Sequence, residues 1–207
     1  MSTHNFPLQK TSIQGFSLLE VLVSIVILSF GILGAVGLQA ASLQATRESR
    51  LQSTGVRFAN EIAELIRANH QVALKTTAAD NPYLLDISAS EFEQSDITCG
   101  LPNSSNCTST EIGERDLEDW LSRMNTDLPS FRAVICFDST PYDTAGLPHW
   151  DCNDTGNTLA IKIGWIRSNT LTGATGQDAT NTSSINTGAF DKALRPAVII
   201  PVTPGAN

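Results

Sequence analysis

The chain has 207 residues, a formal net charge of -8 and only 6% aromatic residues. Its 13 basic residues against 21 acidic ones exclude a surface built to neutralise phosphates, so nucleic acid is not an expected partner. The length suits one domain with an appended segment, or two small domains, and the scarcity of aromatics gives no hint of a large aromatic ligand pocket.

The first residues, MSTHNFPLQKTSIQG, form a short polar leader that carries Lys10. A nearly unbroken apolar run follows from Phe16 to Leu38. As a helix it extends roughly 34 Å at ~1.5 Å per residue, which is enough to cross a bilayer. It is longer than the apolar core of a secretory signal peptide, and no small-residue cleavage site follows it. One acid, Glu20, interrupts the run near its start. A carboxylate in a membrane-length segment is costly unless it is paired or functional. Arg47, Arg50 and Arg57 lie beyond the run, so charge flanking alone sets no orientation.

The stretch QGFSLLEVLVSIVI, Gln14 to Ile27, resembles the class III signal of type IV pilins and pseudopilins. The resemblance implies that a prepilin peptidase cuts between Gly15 and Phe16 on the cytoplasmic face. Phe16 then becomes an N-methylated terminus, and Glu20, the fifth residue after the cut, aligns or recruits a neighbouring subunit. The physics agrees with this. Cleavage leaves an α-amino cation one helical turn from Glu20, and a helix N-terminus favours a carboxylate. In a low dielectric, an unpaired Glu20 favours an incoming subunit that offers a cation. The blander alternative is a plain membrane anchor with a tolerated interfacial glutamate.

Gly31, Gly34 and Gly37 recur late in the run, each costing about 1 kcal/mol against alanine in a helix interior. They fit either close packing between membrane helices or a helix that stretches when it leaves lipid for a filament core. Major pilins often carry a proline near the position of Gly37. Beyond Leu38, the residues Leu51, Gly55, Phe58, Ile62, Leu65 and Ile66 recur at helical steps. Arg57, Asn60, Glu61, Glu64 and Arg67 are interleaved among them. The spacing predicts an amphipathic continuation to about Asn69, with its stripe laid against a globular domain.

A loop region is expected next, with Asn81-Pro82 as a turn signal and TCGLPNSSNCTST as a polar stretch. Thr108 with Glu111 fits a capping box for a short helix from Glu111 to about Asn125. Ile112, Leu117, Trp120, Leu121 and Met124 give its buried face. The runs FRAVICF (Phe131 to Phe137) and LAIKIGWIR (Leu159 to Arg167) read as strands of a long-looped antiparallel hairpin. Ser168 to Gly188 is polar and of low complexity. Pro196 and Pro201 confine the last run, RPAVIIPV, to an edge or a short strand. The fold class expected is α+β: a long N-terminal helix packed on a small antiparallel sheet, with one short extra helix, as the pilin resemblance also implies.

Cys99, Cys107, Cys136 and Cys152 all lie downstream of the apolar run. An even cysteine count beyond a membrane segment points to disulfides in an oxidising compartment. No CxxC pair occurs and His149 has no HxxxH partner, so zinc is disfavoured. Local pairing is the economical choice, giving Cys99–Cys107 and Cys136–Cys152. DCNDTGN, Asp151 to Asn157, begins like a calcium loop, but its fifth position is Thr155 and its twelfth is Lys162, so it reads as an Asx-rich turn. No nucleophile elbow, HExxH, P-loop or dinucleotide fingerprint occurs, and His70 and His149 are isolated. The acids of GERDLEDW suit a solvated helix face. No enzyme activity, cofactor or metal is expected.

The tract from Gly15 to Arg50, with ELIRAN after it, is similar to the PilV-type minor pilins, and Trp165-Ile166-Arg167 matches a strand end found in them. That resemblance implies residues 1–15 as a leader that is removed, 16–38 as a transmembrane helix, 39–70 as its amphipathic continuation and 71–207 as an exported domain. The chain would sit once in the inner membrane, leader side cytoplasmic, before joining a pilus. Partners implied are prepilin peptidase, other minor pilins, the major pilin, the inner-membrane assembly platform and a large tip adhesin. Alternatives are a minor pseudopilin of a type II secretion system, or an adhesin that borrowed the export signal and binds through Ser168 to Gly188.

Overall fold

The computed structural model describes residues 15, 17–95, 99, 106–166 and 195–205. The leader before Gly15, the expected terminus Phe16, Arg167 and the polar stretch Ser168 to Gly188 lie outside the described residues. The chain divides into two compact units, residues 1–45 and 46–207. Helix α1 runs from Leu18 to Ala68 and contributes to both.

Within the second unit, the α1 stripe is buried as its spacing predicts. Phe58, Ala59, Ile62, Ala63 and Ile66 are inaccessible to solvent or nearly so, while Arg57, Asn60, Glu64 and Arg67 are exposed. A short helix α2 (His70–Ala73) follows, and then a turn organised by Asn81. The buried Asn81 amide donates to the carbonyls of Ala73 and Lys75, and its oxygen accepts from the Tyr83 N–H. The turn therefore satisfies backbone groups that burial would otherwise orphan.

Helix α3 spans Ser109–Asp127, about one turn longer than the sequence spacing suggests. Its capping box is present: the Glu111 N–H donates to Thr108 Oγ1, and the Thr108 N–H donates to the Glu111 carboxylate at 2.7 Å. The bond from the Thr108 N–H, and a second from its hydroxyl at 2.8 Å, hold the Glu111 carboxyl below its ordinary range. Trp120, Leu121 and Met124 enter the core, and Leu117 packs against it. Ile112 does not. It sits in the first turn, 37% exposed, while its neighbour Gly113 takes the buried position there, close to Pro82, Asn69 and Tyr83. Trp120 donates its indole N–H to the Phe58 carbonyl at 2.9 Å, and the two rings meet edge to face. Each large side chain buried in this way contributes roughly 1.5–3 kcal/mol.

The sheet has four antiparallel strands in the order β1 (Leu85–Ser88), β2 (Arg132–Phe137), β3 (Leu159–Gly164) and β4 (Val198–Val202). Sequence spacing finds the β2–β3 hairpin and the edge strand β4. It misses β1, which falls in the region expected to be loop. With only four residues, β1 carries too little periodicity to register, and pairing with β2 defines it. The Arg132 guanidinium straps the two strands by binding both carboxylate oxygens of Asp86, at 3.0 and 2.8 Å. β3 ends at Gly164, so Trp165 and Ile166 follow the strand rather than close it.

β2 and β3 are buried on both faces. On one face, Ala133, Ile135, Phe137, Leu159, Ile161 and Ile163 join α1 and α3 in the main core. On the other, Val134 and Cys136 pack under Trp150 and Cys152 from the β2–β3 connection. Lys162 also points to this second face. Its side chain and that of Asp138 are both 0% exposed, with Nζ 2.6 Å from Asp138 Oδ2.

Gly55 marks the closest approach in the core. A Cβ built there falls 2.4 Å from the Trp165 ring, so no side chain fits without moving the indole. Gly55→Ala is expected to destabilise the domain by about 1–3 kcal/mol through overpacking, read as a lower Tm of the detergent-solubilised protein. Gly55→Ala in a Trp165→Phe background should lose less, because the clash is with the larger ring.

Removing one member of the buried ion pair leaves an uncompensated charge. Lys162→Met is expected to cost about 3–5 kcal/mol, and Lys162→Met with Asp138→Leu considerably less. Thermal unfolding of the three proteins measures this. A double variant no more stable than Lys162→Met would remove charge burial from the account.

Candidate assembly segment

The functional residues expected from sequence cluster at the head of α1. Gly15 precedes the helix, and Ser17 closes its first turn by accepting from the Glu20 N–H at 2.9 Å and the Val21 N–H at 3.3 Å. Glu20 therefore lies in the first turn, the one acid there, where unpaired N–H groups and the helix dipole favour a negative charge. Its neighbours Leu18, Leu19, Leu22 and Val23 are exposed, as are the apolar residues that follow to Leu38. Polar groups inside this stretch are satisfied locally: the Ser24 and Ser29 hydroxyls donate to the carbonyls of Glu20 and Ile25, both at 2.7 Å. A window of α1 has mean hydropathy 2.6 with none of it buried, which by length and composition is enough to cross a membrane. Gly31, Gly34 and Gly37 have open space where a Cβ would stand.

In the second unit, both disulfides are formed within local loops, Cys99 to Cys107 and Cys136 to Cys152. Cys136, Asp138 and Cys152 bring three ligand-type atoms within 4.8 Å of one another. That donor set is already used: the two sulfurs are bonded to each other, and Asp138 neutralises Lys162. The DCNDTGN segment is a turn built on Asn153. Its side-chain oxygen accepts from the N–H groups of Ser139 and Thr155, and its amide donates to the Ser139 and Thr140 hydroxyls. Asp154 and Gly156 take positive φ there, as such a turn requires.

Sequence spacing missed a second organised feature of this connection. Asp143 accepts from the N–H groups of Ala145 and Leu147, both at 2.9 Å, and from Arg195 at 2.7 Å. The backbone bond from Leu147, assisted by Arg195, holds the Asp143 carboxyl below its ordinary range. Sequence spacing gives only a long loop here, and the Arg195 clamp leaves no local signal because its partners stand far apart in the chain. His70 opens α2, and His149 lies in the β2–β3 connection, away from any second histidine among the described residues.

The family model describing the prokaryotic N-terminal methylation motif matches residues 10–36. Neither the curated proteins nor the solved structures give a match. The matched stretch holds Gly15, Phe16 and Glu20 and most of the exposed apolar face of α1. The chain thus carries the N-terminal methylation motif of prepilin-type proteins at the head of α1 in an α+β pilin fold, which supports a type IV pilin-like or pseudopilin protein.

Proposed function

We propose that the chain is a minor type IV pilin of the PilV type, and that it helps prime pilus assembly within a complex of minor pilins. In this reading prepilin peptidase removes residues 1–15 by cutting between Gly15 and Phe16, and Phe16 is N-methylated. Residues 16–38 anchor the protein in the inner membrane, residues 39–70 continue the helix, and residues 71–207 form the exported domain. Assembly brings in other minor pilins, the major pilin, the inner-membrane platform and a large tip adhesin. The protein is structural, with no catalytic role, cofactor or metal.

One observation carries the proposal: the one acid of the first turn of α1, Glu20, at the start of an exposed apolar stretch that matches the methylation motif. In hydrocarbon that charge needs a cation, and a neighbour's processed terminus supplies one. The open space at Gly31, Gly34 and Gly37 also supports assembly. Nothing among the described residues requires glycine there, whereas a second helix packed closely against α1 would. The two disulfides suit a domain that works outside the reducing interior of the cell.

Deleting the gene in a strain with pilus retraction disabled tests the role directly. Loss of surface pili supports it, and normal pili with impaired protein secretion would assign the chain to a pseudopilus instead. Mass spectrometry of the mature protein should give an N-terminus at methylated Phe16. Gly15 replaced by a bulky residue should leave full-length precursor in the membrane.

Glu20→Ala should still be inserted and cleaved, because the substitution removes the most costly group in the span and the cut lies upstream. It should lower co-purification with partner minor pilins by ~10-fold or more, as expected when one member of a desolvated charge pair is lost. Undiminished complex recovery with normal pilus counts would reduce Glu20 to a tolerated interfacial residue.

A further inference from the structure

The Cys136–Cys152 disulfide and the Lys162 ammonium act on the same three residues. Lys162 Nζ has acceptors for all three of its protons: Asp138 Oδ2 at 2.6 Å, the Asp151 carbonyl at 2.7 Å and the Trp150 carbonyl at 3.3 Å. Two of the three are therefore peptide groups immediately before Cys152, whose sulfur lies 4.0 Å from Nζ. The segment Trp150–Cys152 belongs to no strand. It is held over Lys162 by those carbonyls, by the Trp150 ring against Val134 and Arg132, and by the disulfide to β2.

These forces oppose a definite cost. Two charges taken out of water carry a desolvation penalty that their attraction only partly repays. Lifting the segment would rehydrate Lys162 and Asp138. The disulfide prevents this by tying the end of the segment to a buried strand residue, so that the open conformations are denied to the chain. Among the described residues it is the one covalent tether of the segment; the others are hydrogen bonds and ring contacts, among them those of Asn153 to Ser139 and Thr140 and of Arg195 to the Pro148 carbonyl.

We propose that Cys136–Cys152 is a redox latch that seals Lys162 beneath the β2–β3 connection. A dithiol reductant opens it by passing two electrons and two protons. The S–S bond breaks, Cys136 and Cys152 become thiols, and the dithiol leaves as its own disulfide. The segment then lifts locally, Lys162 gains water, and the main core on the opposite face of the sheet stays folded. Oxidation reverses each step and completes the second face of the domain. The latch involves neither Glu20 nor the methylation motif, so its test is independent of the assembly proposal.

Amine labelling of the full chain in detergent reads the latch directly. Reductive methylation of the oxidised wild type should modify exposed Lys75 and spare Lys162. In Cys136→Ser/Cys152→Ser, labelling of Lys162 relative to Lys75 should rise by ~10-fold or more, the signature of a local opening. Hydrogen exchange of the wild type before and after dithiothreitol supplies a second measurement that needs no substitution. Exchange should accelerate across residues 138–158, while α3 and the buried part of α1 keep their protection. Lys162 that stays unlabelled in the double variant would overturn the proposal. So would a reduced wild type in which residues 138–158 exchange no faster, or a Cys136→Ser/Cys152→Ser variant, its Cys99–Cys107 bond intact, in which α3 loses protection together with them.

Discussion

β2 and β3 have no face for water, and that constraint organises the rest of the domain. A central pair of antiparallel strands usually covers one face and wets the other. Here α1 and α3 supply the first cover, and a connection without regular structure must supply the second. A loop cannot bury apolar surface as densely as a helix, so this cover relies on point attachments. Trp150 sits on Val134, Arg132 lies over the Trp150 ring, and Cys152 is bonded to Cys136. Lys162 reaches up from β3 to hold two carbonyls of the loop from below. The sequence cost of this arrangement is a lysine in the middle of an apolar strand, tolerable only because Asp138 stands beside it.

The other cover is more conventional, and its tolerances are tighter. The Trp120 indole bonds the α1 backbone at Phe58, and Trp165 fills the space that Gly55 leaves open. Around this core run exposed ion pairs, among them Arg123 with Glu61 and Arg57 with Asp127. At exposed positions such pairs contribute little, so they fix orientation more than they stabilise. What holds α1, α3 and the sheet together is the buried aromatic and aliphatic surface between them.

The first unit obeys different rules. Its described apolar residues are exposed from Leu18 to Leu38, and Ser24 and Ser29 bond back to their own helix, so that apolar surface is left for its surroundings to cover. Lipid or other apolar helices satisfy it. Glu20 is the exception in the described part of the apolar run, and a carboxylate in such a setting is a strong and directional requirement for a cation. A pilin-like chain is thus two devices in series, an electrostatically marked apolar helix and a cross-linked domain.

The sequence by itself determined whatever depends on neighbours in the chain. The methylation motif, the apolar run with Glu20, the helical stripe to Ile66, the Thr108–Glu111 capping box and the β2–β3 strands all rest on short-range patterns. Each is written within one or two turns or a few alternating residues. Tertiary structure decided what depends on distant partners. β1 is a strand because β2 lies beside it, since four residues hold too little pattern to declare one. Ile112 stays at the surface because it stands about 80° round α3 from Trp120, and Gly113, seven residues before Trp120, takes the buried position in that turn. Lys162 reads as a surface residue or a failed calcium ligand until Asp138 and the loop carbonyls are brought to it from 24, 12 and 11 residues away. Long-range proximity of this kind leaves no local periodicity behind, so only the folded chain reveals it.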